Sequence, residues 1–253
     1  MGRIFALANQ KGGVGKTTSA VNIAASLGVL RYKTLLVDLD PQGSATASVG
    51  VSKKNLRFSA ADLLIGGCRT QDAIVETGFQ NLSLLPANIR LAATEYDLLE
   101  GEGAESRLRS VLLPLKSVFD YIVLDCPPSL GMLTVNAMVA ADSVIVPMQC
   151  EYFALEGLSQ LMLTVGRMKK RYRQNLCVTG ILVTMYNGRL ALSKAVMAEL
   201  KRHYGDLVFE TVVSRNVRLA EAPSFGMPVY YHDKSAKGAK EYLEAAKELL
   251  RRA

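Results

Sequence analysis

The chain has 253 residues, of which 49% are hydrophobic and 21% charged, a balance typical of a globular protein with a large core. No apolar stretch is long enough to span a bilayer, and Met1 leads straight into a predicted strand, so we expect a cytoplasmic protein with one domain over residues 1–253. The few cysteines and histidines are widely separated, which argues against disulfides or a metal cluster: Cys68, Cys126, Cys150, Cys177, His203 and His232.

The net charge of +7 is unevenly distributed. The first 150 residues hold 13 Lys and Arg against 13 Asp and Glu, whereas residues 151–253 hold 17 against 10 and carry the whole excess. Such asymmetry indicates a polyanionic partner of the C-terminal part, either nucleic acid or an anionic membrane surface. Solvated helix faces would account for the same charge equally well.

A phosphate-binding loop is predicted near the N-terminus. Residues 4–8 are typical of a buried strand and residues 17–30 of a helix, with glycines at 12, 13 and 15 in the turn between them. In such a turn, backbone amides and the helix N-terminus converge on an anion. Lys16 would then contact the β- and γ-phosphates of a nucleotide, and Thr17 would bind Mg²⁺. Gln10 replaces the first glycine of the usual P-loop pattern, while Lys11 adds a second cation that suits a polyphosphate.

Two further predicted strands end in carboxylates. Residues 34–37 lead into Asp38 and Asp40, and residues 121–124 lead into Asp125. Ligands of open α/β sheets bind at the carboxyl ends of strands. We therefore expect Asp125 to hold Mg²⁺, often through water, and Asp40 to orient or activate the attacking water. Asp38 lies on the same side of its strand as Asp40 and either supports the Mg²⁺ shell or has a structural role.

The rest of the chain repeats the alternation of strands and helices. Apolar strands are predicted at residues 144–146, 178–183 and 208–213, with helices at 104–116, 155–171, 193–204 and 235–250. The last helix carries one apolar stripe that is expected to face the core: Tyr242, Leu243, Ala246, Leu249 and Leu250. The predicted fold class is α/β, a single-domain P-loop NTPase with a mostly parallel central sheet covered by helices on both faces.

Five segments resemble the ParA/Soj-type chromosome or plasmid partitioning ATPases, which have a deviant Walker A motif. They are KGGVGKTT at 11–18, VDLDPQG at 37–43, LDCPPS at 124–129, QCEYFALEG at 149–157 and RNVRLAEAPSFG at 215–226. The first three are shared across the wider class that includes MinD, whereas the last two resemble the ParA/Soj branch more narrowly. The resemblance runs from residue 1 nearly to residue 253.

The resemblance implies an ATPase with ATP and Mg²⁺ as its ligands and an ATP-bound sandwich homodimer. Lys11 would be the signature lysine that reaches the partner's ATP, acting in trans like an arginine finger. The implied catalytic residues are Lys11, Lys16 and Asp40, and the implied metal site is Thr17, Asp40 and Asp125. The implied nucleotide site, with the last residue near the adenine, is Lys11, Gly12, Gly13, Val14, Gly15, Lys16, Thr17, Thr18 and Asn216.

The resemblance also gives the basic C-terminal part a purpose. In this family the ATP-bound dimer binds DNA without sequence specificity through surface arginines, and Arg189 and Arg218 occupy the matching positions. A ParB-like partner would stimulate slow hydrolysis and release the dimer from the nucleoid. A second basic cluster, at the end of a predicted helix, is better interpreted as a solvated face favoured by the helix dipole: Lys169, Lys170, Arg171 and Arg173.

Other functions share parts of this pattern. A MinD-like, membrane-associated division regulator would need a C-terminal amphipathic membrane helix, whereas the last apolar stripe here is expected in the core, so no stable membrane association is expected. A metabolic ligase would need an organic-substrate pocket beside the γ-phosphate, and a nitrogenase-reductase-like electron donor would need cluster-binding cysteines. An ATPase that positions another cargo would differ mainly in its partner, and the sequence leaves that alternative open.

Overall fold

The computed structural model describes residues 2–99, 103–172 and 175–252. Its centre is one seven-stranded sheet, built from β1 (Arg3–Leu7), β2 (Thr34–Asp38), β3 (Val75–Glu76), β4 (Leu82–Leu85), β5 (Tyr121–Asp125), β6 (Ser143–Gln149) and β7 (Cys177–Thr184). The strand order is β3-β4-β2-β5-β1-β6-β7, and every pairing except that of β3 with β4 is parallel.

Helices cover the sheet on both faces. Within the described residues they are α1 (Lys16–Val29), α2 (Ser44–Ser48), α3 (Ala60–Leu64), α4 (Thr70–Ala73), α5 (Arg90–Leu99), α6 (Arg107–Leu112), α7 (Met132–Ala140), α8 (Ala154–Tyr172), α9 (Ala191–Tyr204), α10 (Val217–Glu221), α11 (Val229–His232) and α12 (Lys237–Arg252). Short 3₁₀ turns lie at Ala104–Ser106, Pro114–Ser117, Gly205–Leu207 and Ala222–Phe225.

The strands bury side chains on both faces. On β1, Phe5 and Leu7 belong to an apolar layer that includes buried residues of α1 and α12. Ile4 and Ala6 belong to the opposite layer, together with buried residues of α6, α7 and α8. Because successive side chains of a strand point to opposite faces, an apolar run without alternation fits a strand that is covered twice. The predicted α/β fold class is confirmed.

The strand register brings three carboxyl ends into line. Leu7 of β1 and Asp38 of β2 are both paired with Asp125 of β5, which lies between them. The segments that follow these strands therefore leave the sheet at one edge, where ligands of parallel α/β sheets bind. This arrangement places the phosphate loop beside both predicted acidic segments.

The predicted apolar stripe of α12 faces the core. Tyr242, Ala246 and Leu249 are buried, while Leu243 and Leu250 are partly buried. The Tyr242 hydroxyl lies 2.9 Å from the hydroxyl of Ser19 on α1, so the last helix contacts the helix that follows the phosphate loop. Among the described residues, no helix has the length and apolarity needed to cross a membrane.

Residues 208–213, predicted as a strand, do not form one. The amides of Phe209 and Val213 donate to carbonyls of β7, but the amides of Glu210 and Thr211 between them donate to the Glu248 carboxylate at 2.8 and 2.9 Å. A side chain of α12 thus supplies the acceptors that a neighbouring strand would have supplied. The helix predicted over residues 104–116 is also wrong in extent, because only α6 in its middle is α-helical, between two 3₁₀ turns. The second of these turns begins at Pro114, which has no amide proton to continue the α-helical hydrogen bonds.

Candidate nucleotide site

The turn between β1 and α1 has the backbone geometry of a phosphate cradle. Gly13 and Gly15 have φ of 76° and 82°, in the left-handed region that other residues rarely adopt. A Cβ built at Gly12 or Gly13 would meet no described atom within 4 Å, so this side of the turn faces open space. α1 begins at Lys16, and the amides of its first turn have no intrahelical acceptors. The turn can therefore surround an anion with amide donors.

Two polar side chains from neighbouring strands hold the cradle in shape. The Thr184 hydroxyl at the end of β7 donates to the Val14 carbonyl at 2.7 Å. The side-chain amide of Gln149, at the end of β6, donates to the Gly13 carbonyl, also at 2.7 Å. These two carbonyls are thus held by donors from neighbouring strands, which fixes the backbone of the loop around the anion site. Sequence reasoning missed both roles, since neither residue lies within the glycine-rich motif.

Lys16 is buried where α1 begins, with only 7% of its surface exposed. Its ammonium donates to the carbonyl of Lys11 at 3.1 Å, across the opening of the loop. Burial lowers the pKa of Lys16, and the nearby carboxylates of Asp125 and Asp40 oppose that shift. The cation is thus partly desolvated and close to negative charge, as a phosphate-binding lysine should be.

Three aspartates meet at the sheet edge. Asp38 and Asp125 are fully buried at the ends of β2 and β5, whereas Asp40 lies in the following turn and is partly exposed. Asp38 accepts hydrogen bonds from the amide and the hydroxyl of Thr46, both at 2.7 Å, which fixes α2 against β2. Of the two roles considered for Asp38, these contacts demonstrate the structural one.

Asp125 is a fully buried carboxylate at the end of β5. Neither of its oxygens has a well-aligned hydrogen-bond donor among the described residues. Burial and then the charge of Asp38 raise its pKa well above the ordinary value, while Thr17 and Lys16 favour the ionised form. Burial likewise raises the pKa of Asp38, to about 6.

Asp125 and the Thr17 hydroxyl can contribute oxygen ligands to a divalent cation, although no group of three or more Asp, Glu, His or Cys side chains among the described residues is arranged to hold a metal by itself. Two buried carboxyl groups on paired strands repel each other when both are ionised, and a bound cation would remove that repulsion. Hard oxygen ligands are those that Mg²⁺ prefers, and Asp125 has free oxygens near the Thr17 hydroxyl. Asp125, one of the residues predicted as metal ligands, thus has buried oxygens whose charge a bound cation would neutralise.

Two adjoining cavities lie on the outer side of the loop. One is lined by loop residues together with Asp40 and Pro128. The other is lined by Thr18, Met185, Arg215, Asn216 and Leu219, and Gly15 borders both. Asn216 is therefore close to the phosphate loop although 200 residues separate it from Lys16. The Asn216 side chain also accepts from the Arg218 amide at 2.9 Å and so caps α10.

Lys11 differs from Lys16 in where its side chain goes. It does not line the loop's own cavity, and its ammonium instead forms an ion pair with the carboxylate of Glu151. Both side chains are about half exposed, at 47% and 48%. The second lysine of the loop therefore lies at the rim of the site rather than inside it.

The two predicted DNA-binding arginines are both exposed, and among the residues that the structure describes Arg218 forms ion pairs whereas Arg189 forms none. Its guanidinium contacts Glu221 at 2.8 Å and Asp233 at 3.5 Å. Arg189 lies in the turn before α9, where its amide donates to the Asn187 side chain at 3.0 Å. In the second basic cluster, Arg171 contacts Glu105 at 3.4 Å, and Arg173 lies outside the described residues.

A phosphate loop that opens a helix, beside carboxylates at the ends of neighbouring strands, defines a P-loop nucleoside triphosphatase. In agreement, residues 2–178 match the protein family described as AAA domain. The chain is 47% identical over 249 residues to the sporulation initiation inhibitor protein Soj of Bacillus subtilis, covering 98% of each. It is 45% identical over 252 residues to the chromosome partitioning protein ParA of Myxococcus xanthus, covering 100% of this chain and 89% of that protein. The chain belongs to the ParA/Soj family of P-loop ATPases.

A solved structure shares the whole architecture. It is that of cobyrinic acid a,c-diamide synthase from Mycobacterium smegmatis with bound ADP and magnesium, which is 38% identical in sequence and has a TM-score of 0.86. The match covers 99% of this chain and 95% of that chain. The family predicted from the five motifs is thus confirmed, whereas the roles of individual site residues stay predictions.

Proposed function

We propose that this protein is a DNA-partitioning ATPase whose ATP-bound homodimer binds DNA non-specifically and is released by hydrolysis. The observation that carries the proposal is the position of Lys11 at the rim of the phosphate loop, where its half-exposed side chain pairs with Glu151 and does not line its own cavity. Lys16 already supplies a buried cation to that cavity. A second lysine at the rim is suited to the triphosphate of a facing copy.

The geometry of the site supports the following roles within one subunit. The amides of residues 12–18 and the Lys16 ammonium would bind the phosphates, and Asn216 would contact the base. Thr17, Asp40 and Asp125 would hold Mg²⁺, directly or through water, and the bound ion would neutralise charge on the phosphates. Asp40 borders the loop's cavity and is accessible, so it would also orient the attacking water.

Hydrolysis would be coupled to dimer formation because Lys11 acts across the interface. When two ATP-loaded subunits face each other, each Lys11 would stabilise the charge that develops on the partner's phosphates. After hydrolysis that attraction weakens and the subunits separate. A ParB-like DNA-binding protein would accelerate this step, and the protein would reside in the cytoplasm on the nucleoid.

DNA binding is proposed for the basic C-terminal part. Arg189 and Arg218 are exposed, and residues 151–253 carry the whole net charge of +7. Contacts to backbone phosphates need no base recognition and weaken steeply with salt. A dimer doubles the number of such contacts, so ATP-driven dimerisation would switch DNA binding on.

The deciding experiment is DNA binding at several salt concentrations with ADP and with a slowly hydrolysed ATP analogue. Binding that requires the analogue and falls steeply with salt would support a partitioning ATPase. Binding to anionic vesicles instead would favour a MinD-like function, and nucleotide-dependent binding to neither would favour another cargo or a biosynthetic activity. ADP serves as the matched control, because it lacks the γ-phosphate group that the analogue supplies.

A further inference from the structure

The ion pair between Lys11 and Glu151 joins the phosphate loop to the turn that follows β6. The Lys11 backbone is held on both sides, since its amide donates to the Asn9 side chain at 3.0 Å and its carbonyl accepts from Lys16 at 3.1 Å. Only the side chain of Lys11 is left to move. In the single subunit that side chain ends at a carboxylate of the same chain.

Glu151 is placed there by the fold rather than by a chance surface contact. Gln149, two residues earlier, donates to the Gly13 carbonyl at 2.7 Å and so attaches the end of β6 to the phosphate loop. The Glu151 amide in turn donates to the Gln149 carbonyl at 3.0 Å, which fixes the turn between them. Movement of the Glu151 backbone away from the loop would require breaking these contacts.

We propose that Glu151 is a positioning residue that holds Lys11 within its own subunit until a second, ATP-loaded copy displaces it. This inference rests on the proposed function, because it assigns Lys11 to the partner's nucleotide. Closure of the dimer would exchange a Lys11–carboxylate contact for a Lys11–phosphate contact in each subunit. Glu151 would thereby oppose closure by subunits whose nucleotide lacks a γ-phosphate.

The expected size of this effect follows from the exposure of the pair. With both side chains about half exposed, a single ion pair changes an equilibrium by a factor of about five or less. Two pairs must open when a symmetric dimer closes, so their effects multiply to at most about 25-fold. The restraint is therefore small enough for a triphosphate to overcome, since a polyphosphate offers Lys11 more negative charge than one carboxylate does.

The first measurement examines the pair without any dimer. The reactivity of Lys11 toward an amine-modifying reagent, followed by mass spectrometry in nucleotide-free protein, should rise in Glu151→Gln because the partner charge is lost. Glu151→Asp should retain part of the protection. Glu156→Gln is the matched control, because it removes an exposed charge from the first turn of α8. Equal Lys11 reactivity in Glu151→Gln and Glu156→Gln would overturn the proposal.

The second measurement is the dimer dissociation constant with a slowly hydrolysed ATP analogue, obtained by sedimentation. Glu151→Gln should tighten the dimer about 3- to 20-fold at low salt, with a smaller gain at high salt because exposed charges are screened. Glu156→Gln should match the wild type. Unchanged or weaker dimerisation of Glu151→Gln, beside a wild type that dimerises normally, would refute the restraint while leaving the proposed function intact.

Failure of the proposed function would look different. If the wild-type protein stays monomeric with the ATP analogue at every concentration, the dimer assignment of Lys11 is wrong and the restraint is overturned with it. The labelling result distinguishes this case, because it reports on the Lys11–Glu151 contact in the monomer alone.

Discussion

Asp38 and Asp125 stand opposite each other on the paired strands β2 and β5, both fully buried. One oxygen of Asp38 accepts from Thr46 and the other from the Asp40 amide, whereas Asp125 has no well-aligned donor among the described residues. Two adjacent carboxyl groups of this kind destabilise a fold when both are ionised. Their presence at the nucleotide site indicates that the protein is less stable without its ligands, because the arrangement of these carboxyl groups serves binding of nucleotide and cation.

Replacing Asp125 should therefore stabilise the nucleotide-free protein. The pKa of Asp38 is raised from 3.8 to about 6, so its contribution to stability is complete below pH 3.8 and is lost as the pH rises through about 6. Asp125→Asn removes a second buried acid, whose own pKa is raised well above its ordinary value by burial and then by the charge of Asp38. The melting temperature at pH 7.5 should therefore rise by about 2–4 °C for each kcal/mol of destabilisation that ionisation of Asp125 causes. Calorimetry from pH 5 to 8 should show a flatter pH dependence than in wild type.

The control for that substitution is Asp97→Asn, which neutralises an exposed aspartate on α5. It should leave both the melting temperature and its pH dependence unchanged. A lower melting temperature for Asp125→Asn at pH 7.5 would mean that Asp125 stabilises the empty fold through an interaction other than those described.

Asp40→Ala should separate ATP binding from ATP hydrolysis. Asp40 lies outside the buried pair, and its side chain accepts only from the Gln42 amide among the described groups, at 2.9 Å. The variant should keep the cradle, form an ATP dimer that persists and binds DNA, and hydrolyse ATP about 10²- to 10⁴-fold more slowly. Phosphate release and sedimentation measure the two properties. Near-normal turnover would transfer the hydrolytic role to another acid.

Arg218→Glu should weaken DNA binding and spare dimerisation. The substitution reverses an exposed charge next to Glu221 and Asp233, so it also creates local repulsion. Because each lost phosphate contact lowers the salt dependence by about 0.9 in the log–log slope, a DNA-binding titration should show both weaker affinity and a shallower slope. Lys170→Glu, on the cluster assigned to a solvated face, is the control and should bind DNA as wild type does. Equal binding by the two variants at low salt would exclude Arg218 from the interface.

Gly226→Ala should destabilise the protein through one backbone contact. Gly226 has φ of 63°, and a Cβ there would lie 2.8 Å from the Cα of Gly50, which leaves no room for a side chain. We expect a loss of about 1–3 kcal/mol in the free energy of unfolding, measured with urea. Gly157→Ala, inside α8 with open space around its Cβ position, should instead gain up to about 1 kcal/mol. A neutral Gly226→Ala variant would mean that α2 and the Gly226 turn can move apart freely.

Local patterns predicted the central strands and longer helices because burial on both faces leaves long apolar runs, as in β1, β2 and β5. They did not predict β3 and β4, which are only two and four residues long. The strand expected over residues 208–213 is absent because its amides bond to Glu248, a contact 37 or 38 residues away that composition cannot reveal. The sequence motifs pointed to the loop lysines and Asp125 because these residues lie within short patterns of the chain. The hydrogen bonds by which Gln149 and Thr184 hold the phosphate loop join residues more than 130 positions apart, so they became visible only in the fold.

That support has a kinetic consequence. Gln149 and Thr184 hold two carbonyls of the phosphate loop through hydrogen bonds within the protein itself, so these supports of the loop do not depend on the nucleotide. Ordering a backbone costs about 1–2 kcal/mol per residue, and here folding has already met that cost. Nucleotide can therefore leave and bind again without reordering of the loop backbone. We therefore expect departure of the spent nucleotide, rather than reassembly of the loop, to set how soon a subunit is ready for its next cycle.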